Sequence, residues 1–253
     1  MTTFKKLSNL ERPLKLSKSQ NQDKMQNTVS DYYEYARSIF SEKGNTEIAA
    51  KQAAYMKYNF EYFGLKMPVW TVLTKSIFVE KGIFTGEELM DFVTICFEDD
   101  HREMQYLAIE MVQKTIKKQD ESFIAFITFM LSTKSWWDSV DWIAPKLAGE
   151  HFKRFPHLIV PTTEQWMASD NKWLQRSAMI FQLKYREKTD FDLLSKYILE
   201  LCGSKEFFLQ KGAGWSLREY SKRNPSEVLN FVHKNPQLAN LTKREAIRLI
   251  NKK

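Results

Sequence analysis

Two tryptophans and two aspartates stand within seven residues of this chain, in SWWDSVD at positions 135–141. In a helix, Trp137 and Asp141 are one turn apart and share a face. Trp136, Val140, Ile143 and Leu147 form a neighbouring apolar stripe that can pack into a core. One indole is thus accounted for by packing. The other stands beside a carboxylate, on a face that packing does not need. An aromatic face next to an anion suits a cation, or a group that becomes cationic as it reacts.

The stretch belongs to an internal repeat. MQYLAIEMVQK from Met104, LQRSAMIFQLK from Leu174 and LQKGAGWSLRE from Leu209 share one frame, and VDWIAPKLAG from Val140 fits it more loosely. Their common alanines, Ala108, Ala144, Ala178 and Ala213, are spaced by 36, 34 and 35 residues. A period of that length with two helices per unit predicts an α-solenoid, whose concave side is a groove for something long. Three residues before each alanine stand Gln105, Asp141, Gln175 and Gln210; two before stand Tyr106, Trp142, Arg176 and Lys211. Regular stacking then brings Asp141 near Arg176 and Lys211, with Trp215 one turn beyond Lys211. Trp137, Asp141, Arg176 and Trp215 are expected to converge on the inner surface.

The elements that must position them read as helices almost throughout from Asp31. Thr85…Glu88, Thr189…Asp192 and Thr242…Glu245 fit the capping box. Gly64, Gly82, Gly203, Pro225 and Pro236 interrupt the pattern, and about a dozen helices joined by short turns are expected. Residues 1–29 are polar and basic, with too few apolar side chains to offset the entropy of ordering, and are read as a flexible arm ahead of a single repeat domain over 30–253.

Composition narrows the functional classes. Among 253 residues, 8 Gly and 7 Pro argue against a turn-dense all-β fold, and 43% hydrophobic with 27% charged residues describe a globular chain. A net charge of +7 makes a polyanion a plausible partner. Cys96 and Cys202 are isolated in apolar surroundings, which suits free thiols in a reducing compartment. His101, His151, His157 and His233 lack metal-ligand spacing. The longest apolar run, near 123–131, is too short to span a bilayer, and the N-terminus carries no apolar signal core. A cytoplasmic, nucleoid-associated monomer with no cofactor and no membrane partner is expected.

In a basic groove, Arg176 and Lys211 would neutralise phosphates, and Trp137 and Trp215 would lie against a sugar or base. Asp141 is the anomaly, since a carboxylate repels phosphate. It makes sense where positive charge develops, as at the sugar in N-glycosidic cleavage. An anion about 4 Å from that charge gains up to about 4 kcal/mol at an effective dielectric near 20, roughly a thousandfold in rate. A leaving base that is already cationic, such as an alkylated purine, needs no general acid.

SWWDSVD, NKWLQR at 171–176 and GWSLREYSK at 214–222, with KEFF and KREAI around them, resemble the DNA alkylation repair (AlkD-like) alkylpurine DNA glycosylases over roughly residues 31–252. The resemblance implies an all-α, HEAT-like helical-repeat solenoid that wraps duplex DNA in a concave basic groove. It implies excision of cationic N3- and N7-alkylated purines through contacts to the deoxyribose, without deep base flipping. Matched to the family motif, Asp141 is the expected catalytic carboxylate, Trp137 and Trp215 the sugar-facing indoles, Arg176 the phosphate-binding arginine, and Tyr55 a further aromatic contact. Lys184, Lys211, Arg218 and Lys222 are expected to touch phosphates. Asp138 is read as a charge complementing the helix N-terminus, and Trp136, Trp142, Trp173 and Phe208 as core. The competing functional class is a non-catalytic solenoid that binds DNA structure or another protein, for which Asp141 between tryptophans offers no advantage.

Overall fold

The computed structural model describes residues 17–250, with side chains from Thr28. The first sixteen residues of the expected arm lie outside the described residues. Helix α1 runs from Ser17 to Glu42 and so includes the rest of that stretch. After it come α2 (Thr46–Tyr55), α3 (Met67–Lys81), α4 (Gly86–Glu98), α5 (Arg102–Thr115), α6 (Ile124–Ser132) and α7 (Trp137–Ile143). The remainder is α8 (Gly149–Arg154), α9 (Ile159–Met167), α10 (Lys172–Ile180), α11 (Phe191–Glu200), α12 (Phe207–Tyr220), α13 (Pro225–Lys234) and α14 (Asn240–Ile247). The all-α helical-repeat expectation holds.

The repeat units are visible in the packing. Within units, α4 packs on α5, α6 on α7, α9 on α10, and α13 on α14, while α11 lies against α10. Between units, the second helices form a row in which α5 meets α7, α7 meets α10, α10 meets α12 and α12 meets α14. The shared alanines lie inside this row: Ala108, Ala144, Ala178 and Ala213 are all buried, and a fifth, Ala246 on α14, extends the series. A methyl group at that register lets one helix approach the next closely. Trp136, Trp173 and Phe208 form an aromatic cluster between units, with ring centroids 4.9–5.4 Å apart and Trp136 edge-to-face with the other two, which bears out their reading as core.

The three predicted capping boxes form differently. Thr85 occupies the N-cap of α4, but its hydroxyl makes no cap bond. At α11 the cap is Asp190, whose carboxylate accepts from Leu193 N, so Thr189 is one residue too early. α14 already begins at Asn240, which leaves Thr242 inside the helix, donating to the Gln210 carbonyl of α12. In the last two cases a tertiary or stronger local partner outcompetes the short-range pattern. Pro225 does not end a helix; it opens α13, where its missing N–H costs nothing.

Candidate functional site

The second helices converge the expected side chains, and the repeat explains how. In three units the glutamine before the alanine has a structural task. The Nε2 of Gln105 donates to Asp99 O, that of Gln175 to Ser169 O, and that of Gln210 to Ser204 O, each six residues back. Each bond satisfies a carbonyl in the turn that precedes the helix. Asp141 holds the same register on α7. A carboxylate has no N–H to give, so Asp141 cannot make this bond and is released from the repeat's structural role.

Its partner is Arg176 on α10. The guanidinium Nε donates to Oδ1 and Nη2 to Oδ2, both at 2.8 Å, a bidentate pair. Arg176 Nη1 donates to the Phe208 carbonyl at the start of α12. The Arg176 side chain is 3% exposed and that of Asp141 20%. The carboxylate is therefore the half of the pair that faces outward. Burial pushes the Asp141 pKa up; Arg176 opposes this, Asp138 adds to it, and the net shift is upward.

The aromatic flanks follow. Tyr55, at the end of α2 and exposed, meets Trp137 edge-to-face at 6.0 Å between centroids. On the far side, Arg176 Cζ lies 6.0 Å from the Trp215 ring of α12. Tyr55, Trp137, Asp141, Arg176 and Trp215 thus form one continuous line across α2, α7, α10 and α12. Gly212 allows the crossing. A Cβ there would stand 2.8 Å from Arg176 Nη1, so only glycine leaves room for the guanidinium beneath α12. At Gly214 a Cβ would meet Glu245 Cβ at 2.6 Å and Thr242 O at 3.0 Å, which makes this glycine a close-packing point against α14.

Four expected phosphate contacts are engaged otherwise. Arg176 is buried and holds Asp141 instead of facing outward. Lys211 pairs with Glu245 at 2.6 Å, and Arg218 pairs with the other oxygen of the same carboxylate. Lys222 pairs with its helical neighbour Glu219 at 2.6 Å. The Asp141–Arg176 approach follows from the repeat spacing, whereas Lys211 meets Glu245 rather than Asp141. Glu245 stands directly before the fifth repeat alanine. Lys184 is exposed, with no carboxylate in salt-bridge range among the described residues.

Asp138 also departs from its expected role. It does sit in the first turn of α7, but its side chain is only 8% exposed. Arg102 grips it through Nε and Nη2 at 2.9 and 2.8 Å, and the Tyr106 hydroxyl donates to it at 2.6 Å. Burial alone would raise its pKa; the hydrogen bonds and charge of Arg102 outweigh that, and the net shift is downward. Two carboxylates one turn apart on α7 are therefore pushed in opposite directions. Asp138 ties α7 back to α5, and Asp141 faces forward to α10 and keeps part of its carboxylate open to solvent. Such divergence separates a structural carboxylate from one available for chemistry.

A row of paired repeat helices carrying an aromatic–carboxylate–arginine–aromatic line defines a class of helical-repeat protein with one built polar site. The chain belongs to the DNA alkylation repair enzyme family, whose model matches residues 36–250. It is similar to the solved structure of a predicted DNA alkylation repair enzyme from Enterococcus faecalis, with 33% identity and a TM-score of 0.76 over 83% of this chain and 98% of that one. The fold is also that of AlkD2 from Streptococcus mutans (18% identity, TM-score 0.54, 72% of this chain and 89% of that one). The smu.31 protein of Streptococcus mutans UA159 shares it too (18%, 0.53, 70% and 95%). No curated protein matches the chain. Among the described residues no helix is long and apolar enough to cross a membrane, and no group of three or more His, Cys, Asp or Glu side chains could hold a metal.

Proposed function

We propose that the protein is a monofunctional DNA glycosylase that releases cationic N3- or N7-alkylated purines from duplex DNA. The observation that carries this reading is Asp141 itself. The repeat supplies a glutamine at this register with a turn to satisfy; this unit supplies a carboxylate instead, clamps it from behind, and leaves its outer edge facing solvent between Trp137 and Trp215. A pure phosphate binder gains nothing from a negative charge there.

In the proposed reaction the C1′–N bond of the deoxyribose breaks and its electron pair leaves with the purine. The purine departs neutral because the alkylated base began as a cation. Positive charge develops on the sugar. Asp141 stabilises it electrostatically, by up to about 4 kcal/mol at an effective dielectric near 20, and the indole faces add about 1–2 kcal/mol by cation–π attraction. Water then adds at C1′ and gives up a proton, for which the outward carboxylate oxygen is the nearest base on this line. Arg176 keeps Asp141 oriented and favours its ionised form.

The test is release of free alkylated purine from methylated duplex, compared between wild type and Asp141→Asn. Asparagine preserves the volume and one acceptor toward Arg176, so the buried guanidinium keeps a partner. Alanine would leave it unpaired, at about 3–5 kcal/mol. A loss of roughly a hundredfold or more is expected, with circular dichroism showing the variant still folded at the assay temperature. Release retained within a few fold would return the chain to the class of non-catalytic DNA-binding solenoids.

A further inference from the structure

Helix α2 carries an inward stripe with little packed into it. Ile48, Gln52 and Tyr55 stand at i, i+4 and i+7, the spacing of a core-facing side. Such a stripe normally meets close-packed side chains, yet none of the ten residues of α2 is buried. The three instead line a cleft of about 300 Å³ between α2, α3 and α5. That volume is at the lower end of small-molecule sites. The exposed lining residues, Tyr55 and Met67, mark its mouth.

Two polar atoms on the walls of this cleft lack partners. Gln52 Nε2 donates to Leu65 O at 2.9 Å, which fixes the orientation of the amide and leaves Oε1 as a buried acceptor with no hydrogen bond. The hydroxyl of Tyr62, a residue 9% exposed, has no partner within hydrogen-bonding distance either. The Tyr106 hydroxyl is committed to Asp138 at 2.6 Å. An orphaned buried polar atom destabilises the fold that holds it, and each calls for a cause. Two on one cleft point to a ligand that pairs both. The charged groups are already engaged. Glu103 accepts from Gly64 N and Leu65 N through Oε1 and from Phe63 N through Oε2, and Lys51 pairs with Glu47 at 2.6 Å. The aromatic wall is held in place: Trp70 meets Tyr106 edge-to-face at 6.1 Å between centroids, and Trp70 Nε1 donates to Glu103 O at 3.3 Å.

We propose that this cleft binds one neutral purine base, the one that leaves during the reaction. An exocyclic N–H of the base would donate to Gln52 Oε1, and the Tyr62 hydroxyl to a ring nitrogen. A flat ring system suits walls made of Tyr62, Trp70 and Tyr106. A hydrocarbon of the same size would leave both polar atoms orphaned. A base still carrying its positive charge would find no free carboxylate. Tyr55 joins the cleft to the polar site, because its ring meets Trp137 at 6.0 Å while it also lines the cleft. The source of the purine rests on the glycosylase reading; the binding chemistry of the cleft does not, and it is tested separately.

The experiment titrates free 3-methyladenine, 7-methylguanine and adenine into the protein and follows the indole N–H resonances, with Trp70 and Trp215 assigned through Trp70→Phe and Trp215→Phe. The two alkylated bases are expected to shift the Trp70 signal and leave that of Trp215 in place, with a dissociation constant on the order of 0.1–1 mM. Binding should persist in the complex with a duplex that carries an abasic site, the state that follows departure of the base. Tyr62→Phe should weaken binding by roughly threefold to tenfold without lowering the melting temperature, because it removes an orphaned hydroxyl and keeps the ring. Met67→Trp, a change at an exposed position, should fill the mouth and abolish binding. Both variants should release purine in a single turnover at the wild-type rate, while added 3-methyladenine slows wild type more than either. No Trp70 shift, shifts centred on Trp215, loss of binding in the abasic complex, or variants that bind like wild type would overturn the proposal. Binding of adenine without the alkylated bases would assign the cleft to a nucleobase from solution and overturn its link to the reaction. If wild type releases purine but no base enters the cleft, only this proposal fails. If the bases bind as expected and no purine is released, the cleft stands and the glycosylase reading fails.

Discussion

Arg176 holds Asp141 through two parallel hydrogen bonds, Nε to Oδ1 and Nη2 to Oδ2, each 2.8 Å long. The pair sits between α7 and α10 with the guanidinium 3% exposed, so salt screens it little. Asp141 must be ionised to stabilise a cationic sugar. Burial holds its pKa above the ordinary 3.8, and Arg176 limits the rise. Purine release is therefore expected to fall with acidification along a limb set above the ordinary carboxylate range. Because the folded-state pKa is raised, protonating Asp141 favours the folded form, so this limb is not unfolding through that group. In Arg176→Gln the limb moves to higher pH. The salt dependence of DNA binding stays as in wild type, since a buried guanidinium releases no counterion. A pH–rate profile and a salt series on this one variant check both; a slope reduced by about 0.9 would make Arg176 a phosphate contact after all.

Gly212 lies inside α12, where replacement by alanine ordinarily stabilises a helix by up to about 1 kcal/mol. Here the new methyl carbon would stand 2.8 Å from Arg176 Nη1, which is fixed by its bond to the Phe208 carbonyl. The guanidinium must shift, and Asp141 shifts with it. Gly212→Ala is expected to lower the rate of base release at saturating DNA by roughly tenfold or more, since displacements of about 1 Å carry such penalties. Its stability should change little. A variant that gains stability and keeps its rate would show that Arg176 is free to move.

The repeat glutamines give the reverse case. Gln175 and Gln210 bind carbonyls in the turns ahead of their helices at 2.8 and 2.9 Å. Replacing either by leucine leaves a partly buried carbonyl unsatisfied, at about 1–3 kcal/mol. Chemical denaturation should show that loss for each variant, while purine release by the remaining folded protein is unchanged. A drop in rate without a drop in stability would place these glutamines on the substrate side of the helices.

This contrast also shows what the sequence made legible. The alanine frame exposed the repeat, and lining up Gln105, Asp141, Gln175 and Gln210 singled out the one acid. That arithmetic works because α5, α7, α10 and α12 stack with nearly constant offset. It fails for partners reached by long side chains. Lys211 and Arg218 read as free cations, because Glu245 lies 34 and 27 residues away and beyond the last repeat alanine counted. Asp138 read only as a charge complementing the helix N-terminus because its partner, Arg102, is 36 residues earlier, at the very start of α5.

Glu245 offers the clearest test of how the C-terminal units stay docked. It is 7% exposed and receives Lys211 at 2.6 Å, with Arg218 on its second oxygen. The hydrogen bond from Lys211 is the main cause of its lowered pKa; burial opposes, and the charges of Lys211, Arg218 and Arg248 add to the lowering. A carboxylate whose folded-state pKa is depressed contributes stability above its unfolded value, and that contribution is lost as the pH falls through the folded value. Wild type is thus expected to lose stability below about pH 4.5, the ordinary value for this group. Glu245→Gln should be less stable at pH 7 by about 1.5–3 kcal/mol, the range for hydrogen bonds to charged groups, with a flatter acid limb. It also releases Lys211 and Arg218 from their acid. If these two side chains can then reach DNA, the salt dependence of binding steepens by about 0.9 for each phosphate gained. Urea denaturation at pH 7 and pH 4, with a binding series on the same variant, decides both points. Equal stability of wild type and variant at pH 7 would mean that α12 and α14 are held by the Gly214 contact and apolar packing alone.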